Sequence, residues 1–466
     1  MFLRDIFRAK ARIILGGIMV LSFGALALPE AHSSLQGARI YKASFRIREG
    51  IMAEHGKTIN FTTSDRKKKR VVLSEPVMVS RSSCPLEWGY YQFPSMYRME
   101  DGNLLITWQM KEDHYRAYGK TDSGKNMALS TDNGETWVDY DNRYNPEEYY
   151  YSIRKSNGDY LLITSPGLII DTNKEGFPKP IYQFDENGTE YSFYQESALP
   201  LEFQGLMIKK WRIRDGKPQN DSREHVAFRD NGLLRCVNFG YMFMWNGPIK
   251  ELSNNEVLSC NYQAFHSDTN GELLPGGITF YKINEDDDTF EYQGEIPYIP
   301  DSRIDSRGKY RKARGFSEPS FIELNDGRLL CVTRSTFESE LTPMYKSYSD
   351  DRGKTWSKPV AFTPNGVDPS LIKLGNGTLV LASGRPGVQL RFCFDEEGEN
   401  WTEAIEMIPY PIVNGKIVTF GGTCGYTALL PYDNDSFYIA YSVFDKDSFD
   451  GKYFKSIMFR KVTVKN

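Results

Sequence analysis

Histidine is scarce in this chain, and paired cysteine motifs are absent. Five His are scattered over 466 residues, at positions 32, 55, 114, 225 and 266, which argues against a multi-histidine metal cluster. The six Cys (Cys84, Cys236, Cys260, Cys331, Cys393 and Cys424) include no C-x-x-C pair, and two of them sit inside the apolar runs LLCVTR and RFCF. They read as small buried hydrophobes, with neither a disulfide framework nor a zinc site expected. No metal or cofactor is expected. Strong charge is missing too: a net charge of -4 and a pI near 5.9 give no basic field for nucleic acid. The one basic run, RKKKR at Arg66 to Arg70, reads as a solvated loop or sheet edge.

Residues 1–33 differ in character from the rest of the chain. Arg4, Arg8, Lys10 and Arg12 precede an apolar run from Ile13 to Leu28, with small residues at Ala25-Leu26-Ala27 and Ala31-His32-Ser33. This is the form of an export signal. The run is short against the roughly 20 residues a span needs, so cleavage is expected, giving a secreted or periplasmic protein with no stable membrane insertion. No Cys near its end offers a lipid anchor.

What is abundant is aromatic and repetitive. Tyr (29) and Phe (28) bring the aromatic content to 14%, as suits sheets packed face to face. The fullest repeat runs from Glu318 to Trp356: EPSFIELNDGRLLCVTR, a loop, then SYSDDRGKTW. It holds an apolar strand, an Asn-Asp-Gly turn, a second strand ending in Arg334, and a third strand entering a Ser-x-Asp-x-Gly-x-Thr-Trp loop. Strand-turn-strand signals recur at FPSMYRMEDGNLLITW, YYYSIRKSNGDYLLITS, IKELSNNEVLSCNY, VDPSLIKLGNGTLVLASGRPGVQLRF and CGYTALLPYDNDSFYIAYS. The loop recurs as STDNGETW and in weaker form as FDENGTEY, INEDDDTF and FDEEGENW. Six repeated meanders predict an all-β, six-bladed β-propeller, or seven blades if the long segment Ser192 to Phe243 forms one of its own. The expected organisation is a signal peptide at 1–33, an N-terminal arm or strand at 34–84 with a strand at Val71 to Val79, and the propeller at 85–466. Within the repeated loop every conspicuous residue has a structural use. Asp and Ser bond nearby amides, Gly takes the strained turn position and Trp packs on the sheet, so Asp132 and Asp351 are not expected to bind substrate or metal.

These loops resemble the Asp-boxes, or BNR repeats, of the sialidase superfamily, and the resemblance extends from about Phe93 to the C-terminus. It implies a sialidase-like propeller around a central site with the boxes on the outer rim. Residue by residue, it implies Glu318 as general base, Arg334 and Arg385 as ligands for a substrate carboxylate, and Tyr426, in TCGYTALL, as nucleophile. The set is chemically coherent. Guanidinium groups bind a planar carboxylate through paired charged bonds, and a neutral Tyr meets no repulsion from an anionic sugar while Glu takes its proton.

Two places depart from the family pattern. Where it has Phe-Arg-Ile-Pro or Tyr-Arg-Ile-Pro, this chain has Tyr91-Gln92-Phe93-Pro94, so Gln92 stands at the first arginine of the carboxylate-binding triad. A neutral amide in that place removes about 1.5–3 kcal/mol of charged hydrogen bonding, which points away from ordinary sialic acid. The acid/base Asp of the family falls in KEDHYRAYGKTDSGKN, where Asp113 and Asp122 are the choices. Asp113 is preferred for its pocket-type neighbours, and His114 is an alternative acid or substrate ligand. The expected activity is an exported, retaining, exo-α-sialidase-like glycosidase that releases a terminal acidic or modified sugar from a glycan or oligosaccharide. The alternatives are a polysaccharide lyase or uronic-sugar glycosidase on the same fold, and a carbohydrate-binding propeller without catalysis.

Overall fold

The computed structural model describes residues 50–465 except 53–57, 64, 114–124, 141–152, 165–169, 187–188, 215–216, 227–232, 239–240, 244, 268–269, 285–288, 300, 302–314, 336–341, 411, 414–415, 418–421 and 446–451. Regular structure among the described residues is β-strand, with two short 3-10 turns at Glu196–Ala198 and Leu201–Phe203. The protein is therefore all-β. Seven largely antiparallel sheets of four or more strands form among these residues, with one two-stranded ribbon.

The strands follow their composition. The second strands of the repeats, such as Leu104–Met110, Leu329–Ser335 and Leu379–Gly384, are nearly continuous apolar runs, and they are buried almost throughout. Each is covered on both faces, which is why they show no in-out alternation. The core is accordingly divided into several clusters, and those of the C-terminal half lie between consecutive sheets. Phe280, Phe321 and Tyr345 pack in one such cluster, Leu330, Leu371 and Leu381 in the next, and Phe392, Phe437 and Val462 in the one after. Polar residues at the first turn of one sheet tie it to the next: Ser253 Oγ to Glu323, Asn325 Nδ2 to Glu396 and Asn376 Nδ2 to Asp435, at 2.8, 2.7 and 2.9 Å.

The long segment after Ser192 behaves differently from a simple blade. Leu206–Arg214 returns to pair with Tyr160–Thr164 and carries Lys217–Val226 on its other edge, whereas Tyr182–Glu186, Thr189–Gln195, Leu234–Asn238 and Tyr241–Phe243 form a separate four-stranded sheet. The segment thus contributes to two sheets in alternation. One expectation is corrected here. FDENGTEY is no relic of the repeated loop but the hairpin of that separate sheet, with Phe184 opposite Tyr191, because Leu206–Arg214 fills the third-strand place instead. A buried ion pair, Arg235 to Glu196, closes on Gly205, whose N–H donates to Glu196 Oε1 at 2.7 Å.

At the N-terminal side, the expected single strand Val71 to Val79 is two strands, Lys68–Leu73 and Val77–Arg81, interrupted around Pro76. Both pair with the C-terminal strand Lys455–Lys465. The side chains of Arg66, Lys67, Lys68 and Arg70 are exposed. The S-x-D-x-G-x-T-W loops use their polar atoms internally. Asp351 accepts from Ser349 Oγ, Thr355 N and Thr355 Oγ1 at 2.9, 2.8 and 2.6 Å, and Trp356 stacks on Phe280 of the preceding sheet at 4.3 Å. Asp132 makes the same set with Ser130 and Thr136. Of the cysteines, Cys236, Cys260, Cys331, Cys393 and Cys424 are buried and Cys84 is exposed.

Candidate active site

The first strands of four sheets, Phe316–Glu323, Val367–Lys373, Thr427–Pro431 and Tyr90–Arg98, lie beside one another in that order. Three of them open with the same local sequence: Glu318-Pro319-Ser320, Asp368-Pro369-Ser370 and Phe93-Pro94-Ser95. In each, the residue before proline lies at a register shift in the strand pairing and has a positive φ, +50°, +48° and +54° respectively. Such conformations are strained for residues with a Cβ, and strain of this kind tends to gather at functional sites. In the fourth sheet the equivalent place falls to Gly425, φ +85°, immediately before Tyr426. A side chain there would be crowded as well as strained, since a Cβ on Gly425 would lie 3.0 Å from the Arg385 nitrogen. This close approach puts Arg385 against Tyr426. Glu318, Arg334, Asp368, Arg385 and Tyr426 are all half-buried, each between buried neighbours, so their side chains reach an opening in an otherwise closed core.

Around that opening the groups bond to one another. The Tyr426 hydroxyl donates to Glu318 Oε1, and Arg334 Nη1 donates to the same oxygen at 2.8 Å. Glu318 Oε2 accepts the backbone N–H of Asp368 at 2.8 Å. The Arg385 guanidinium carbon sits 5.4 Å from the Tyr426 ring centre and 5.5 Å from that of Trp88, and Arg385 Nε donates to the Cys424 carbonyl at 3.1 Å. Phe93 meets the Tyr426 ring edge-on at 4.7 Å. Arg334 Nε is buried and has no hydrogen-bond partner among the described residues, which leaves one donor of this cation open.

The electrostatics separate the two carboxyl groups. Burial raises Glu318, but the Arg334 charge, the Tyr426 hydroxyl, the Arg385 charge and the Asp368 amide outweigh it and hold the carboxyl below its ordinary range. Asp368 goes the other way: burial and then the Glu318 charge push it up to about 8, against the Thr427 amide and both arginines. Burial and the same Glu318 charge lift the Tyr426 phenol well above its usual value, so it is protonated and needs a base. An ionised carboxylate hydrogen-bonded to a neutral phenol between two guanidinium groups is able to take the phenolic proton as the oxygen attacks an electrophile.

Sequence reasoning selected Glu318, Arg334, Arg385 and Tyr426, and the structure brings these four together. Asp113 joins them at one remove, its Oδ2 accepting from Trp88 Nε1 at 2.8 Å while Trp88 carries Arg385 on its ring. Gly89 allows this, since a Cβ there would lie 2.4 Å from the Asp113 nitrogen. Gln92 is a correction. Its side chain is fully buried, with Oε1 accepting from Gly89 N at 2.6 Å and Lys455 Nζ at 3.0 Å, so it braces the core beneath the site and is not a substrate ligand. The bulge turns Gln92 inward and presents Phe93 to Tyr426 instead. His114, like Asp122, lies outside the described residues. Sequence reasoning missed Asp368 and Trp88. The repeated x-Pro-Ser would have found Asp368; Trp88 had no comparable signal.

No family model matches the chain. Among curated proteins it is similar to sialidase B of Streptococcus pneumoniae serotype 4 (strain ATCC BAA-334 / TIGR4), 22% identical over 367 residues. That match covers 69% of this chain and 49% of the relative, so the chain spans about half the length of the curated protein it matches. Among solved structures, a protein of unknown function from Dyadobacter fermentans DSM 18053 shares the fold, with a TM-score of 0.50 at 16% identity over 84% of this chain and 98% of that one. The NanB sialidase of Streptococcus pneumoniae aligns with a TM-score of 0.44 at 14% identity over 83% and 70% of the two chains.

Proposed function

We propose that this chain is an exported, retaining glycoside hydrolase of the sialidase-like type, with Tyr426 as nucleophile and Glu318 as its base, acting on a terminal acidic or modified sugar. The observation that carries this reading is the hydrogen bond from Tyr426 to Glu318, residues 108 positions apart that meet on one oxygen also held by Arg334. The phenol at the opening thus faces an ionised carboxylate and a cation together, the setting a nucleophilic tyrosine needs. On this reading six of the sheets are the blades of a propeller, and the interleaved sheet of residues 182–243 is an insertion into the second blade.

The reaction runs in two halves. Tyr426 Oη bonds to the anomeric carbon as its proton passes to Glu318, and the bond to the leaving oxygen breaks as Asp113 protonates that oxygen. Water, deprotonated by the Asp113 carboxylate, then attacks the same carbon, and the displaced tyrosyl oxygen recovers its proton from Glu318. The N-terminal charged and apolar segment supports export, and no helix among the described residues is long and apolar enough to cross a membrane.

The test is a panel of aryl glycosides that includes the sialic acid and uronic acid derivatives, assayed with wild type and Tyr426→Phe. Wild type is expected to release aglycone from an acidic sugar, and Tyr426→Phe to lose at least about 10³-fold in kcat. Full activity in the variant removes Tyr426 from the chemistry. An unsaturated, ultraviolet-absorbing product would select the lyase.

A further inference from the structure

The two-step chemistry leaves Asp368 without a task, although its carboxyl stands among the reacting groups. Its backbone N–H is bound to Glu318, its carboxyl accepts from the Thr427 amide next to Tyr426, and it interacts with the charges of Arg334 and Arg385. We propose that Asp368, in its protonated form, is a third donor to a ligand carboxylate held by Arg334 and Arg385, and that it sets the selectivity of the site for an anionic sugar. This inference rests on the proposed glycosidase function and concerns the substrate class of that same site.

Charge counting carries it. With Glu318 and Asp368 both ionised, the two carboxylates cancel the two guanidinium groups, and an incoming carboxylate meets no net attraction. One proton on Asp368 leaves the site with a net positive charge and converts a repelling group into a donor. The two polar side chains beneath the site do not supply that third donor. Gln92 bonds to Gly89 and Lys455 only through its acceptor Oε1, and its Nε2, without a partner among the described residues, is fully buried and out of a ligand's reach, while Lys455 Nζ is committed to Glu87 O, Tyr90 O and Gln92 Oε1 at 2.6, 3.0 and 3.0 Å. Arg334 Nε remains open among the described residues.

The groups facing Asp368 agree on where the proton sits. From the preceding sheet come Glu318, which favours protonation, and Arg334, which opposes it. Arg385 of its own sheet also opposes it, and the following sheet supplies the Thr427 amide and the neutral Tyr426 phenol. Burial and Glu318 prevail, so the carboxyl holds its proton up to about pH 8. Glu318, bonded to Tyr426 and Arg334, stays ionised as the base. Two carboxyl groups whose surroundings drive them apart take opposite protonation roles.

The experiment measures binding by calorimetry, independently of turnover, from pH 7 to 9.5. The probes are 2-deoxy-2,3-dehydro-N-acetylneuraminic acid and methyl glucuronide, each with its methyl ester as uncharged control. Wild type is expected to bind one of the acids more tightly than its ester at pH 7, and to lose affinity about 30-fold by pH 9.5 as a carboxyl titrating near 8 gives up its proton. In Asp368→Asn the amide donates at every pH, so the acid should bind with less than about threefold change across the range. Asparagine also tolerates positive φ, which favours a folded variant, and the wild-type titration stands without it. A flat wild-type profile, a fall that persists in Asp368→Asn, equal binding of acid and ester, or no binding of either acid at pH 7 overturns the inference. If wild type still cleaves neutral aryl glycosides through Tyr426 under any of those outcomes, the glycosidase reading survives and only the role of Asp368 is lost.

Discussion

Replacing Glu318 by Gln isolates the charge at the centre of the site, because the side chain keeps its size and loses one acceptor. The carboxylate now serves Tyr426 and Arg334 with one oxygen and the Asp368 amide with the other. A carboxamide oxygen facing Tyr426 and Arg334 turns its NH2 onto the Asp368 N–H, donor against donor; the opposite orientation sets the NH2 against Tyr426 and Arg334. At least one charged bond is lost either way, and Arg334 loses its counterion. Deleting one partner of a fully buried pair costs about 3–5 kcal/mol, but these side chains remain 13% and 14% exposed, so about 2–3 kcal/mol is expected, which lowers the melting temperature by a few degrees. The catalytic loss should be larger, about 10²–10⁴-fold in kcat for removal of a general base. A pH profile separates the two effects. Glu318 is held below its ordinary range, so wild-type activity should fall on the acid side only below the usual carboxylate range, and that limb should vanish in the variant. The stability that Glu318 contributes is present above its unfolded pKa and lost as pH falls through its lowered folded value, so wild-type and variant melting temperatures should converge in acid. Steady-state assays with the best aryl glycoside, paired with thermal melts at each pH, read both. A kcat within about threefold of wild type, or an acid limb that survives in Glu318→Gln, refutes the assignment of Glu318 as base.

Two further substitutions test the frame around the site. Asp351→Ala removes the acceptor for Ser349 Oγ, Thr355 N and Thr355 Oγ1; melts should show a loss of about 1–2 kcal/mol with kcat and KM unchanged, and a change in kcat would mean the loop does more than close a sheet. Gln92→Arg, which introduces the arginine of the sialidase pattern that the chain resembles, should fail to improve binding of a sugar acid. It places a second cation beside Lys455 Nζ, now 3.0 Å from Gln92 Oε1 in a fully buried position, and should destabilise by about 3 kcal/mol or more; tighter acid binding at an unchanged melting temperature would show that the side chain can reach the site after all.

The all-β architecture was legible because its signals are local. Turn residues at Asp101-Gly102, Asp326-Gly327 and Asn376-Gly377 sit between apolar runs, and hairpins form there. The segment from Ser192 to Phe243 was not legible, since its strands alternate between two sheets and pairing across such a distance leaves no periodic trace. Its strand Lys217–Val226 is polar along most of its length, and pairing with the long neighbour Leu206–Arg214 holds it in the sheet. Gln92 misled for a related reason. Its position in a motif was readable, but the side to which a bulged strand turns it was not.

Asp368 shows what position-by-position comparison with a family passes over. Glu318 was found because the family has a Glu there, whereas Asp368 is distinctive only against the chain's own repeats. Comparing those repeats internally sets Glu318-Pro319-Ser320 beside Asp368-Pro369-Ser370 and Phe93-Pro94-Ser95, three strand openings with the same positive φ before proline. Each such residue is held in a conformation costing on the order of 1–3 kcal/mol, so its persistence at successive strands requires that the surrounding sheets impose it. A bulge at the start of an inner strand does what a regular strand cannot, turning the residue before proline out of the in-out alternation toward the opening that the strands share. The same device thus brings a carboxylate bonded to Tyr426, a second carboxyl and an aromatic wall to one opening, and which side chain each copy of the device carries sets the groups that line it.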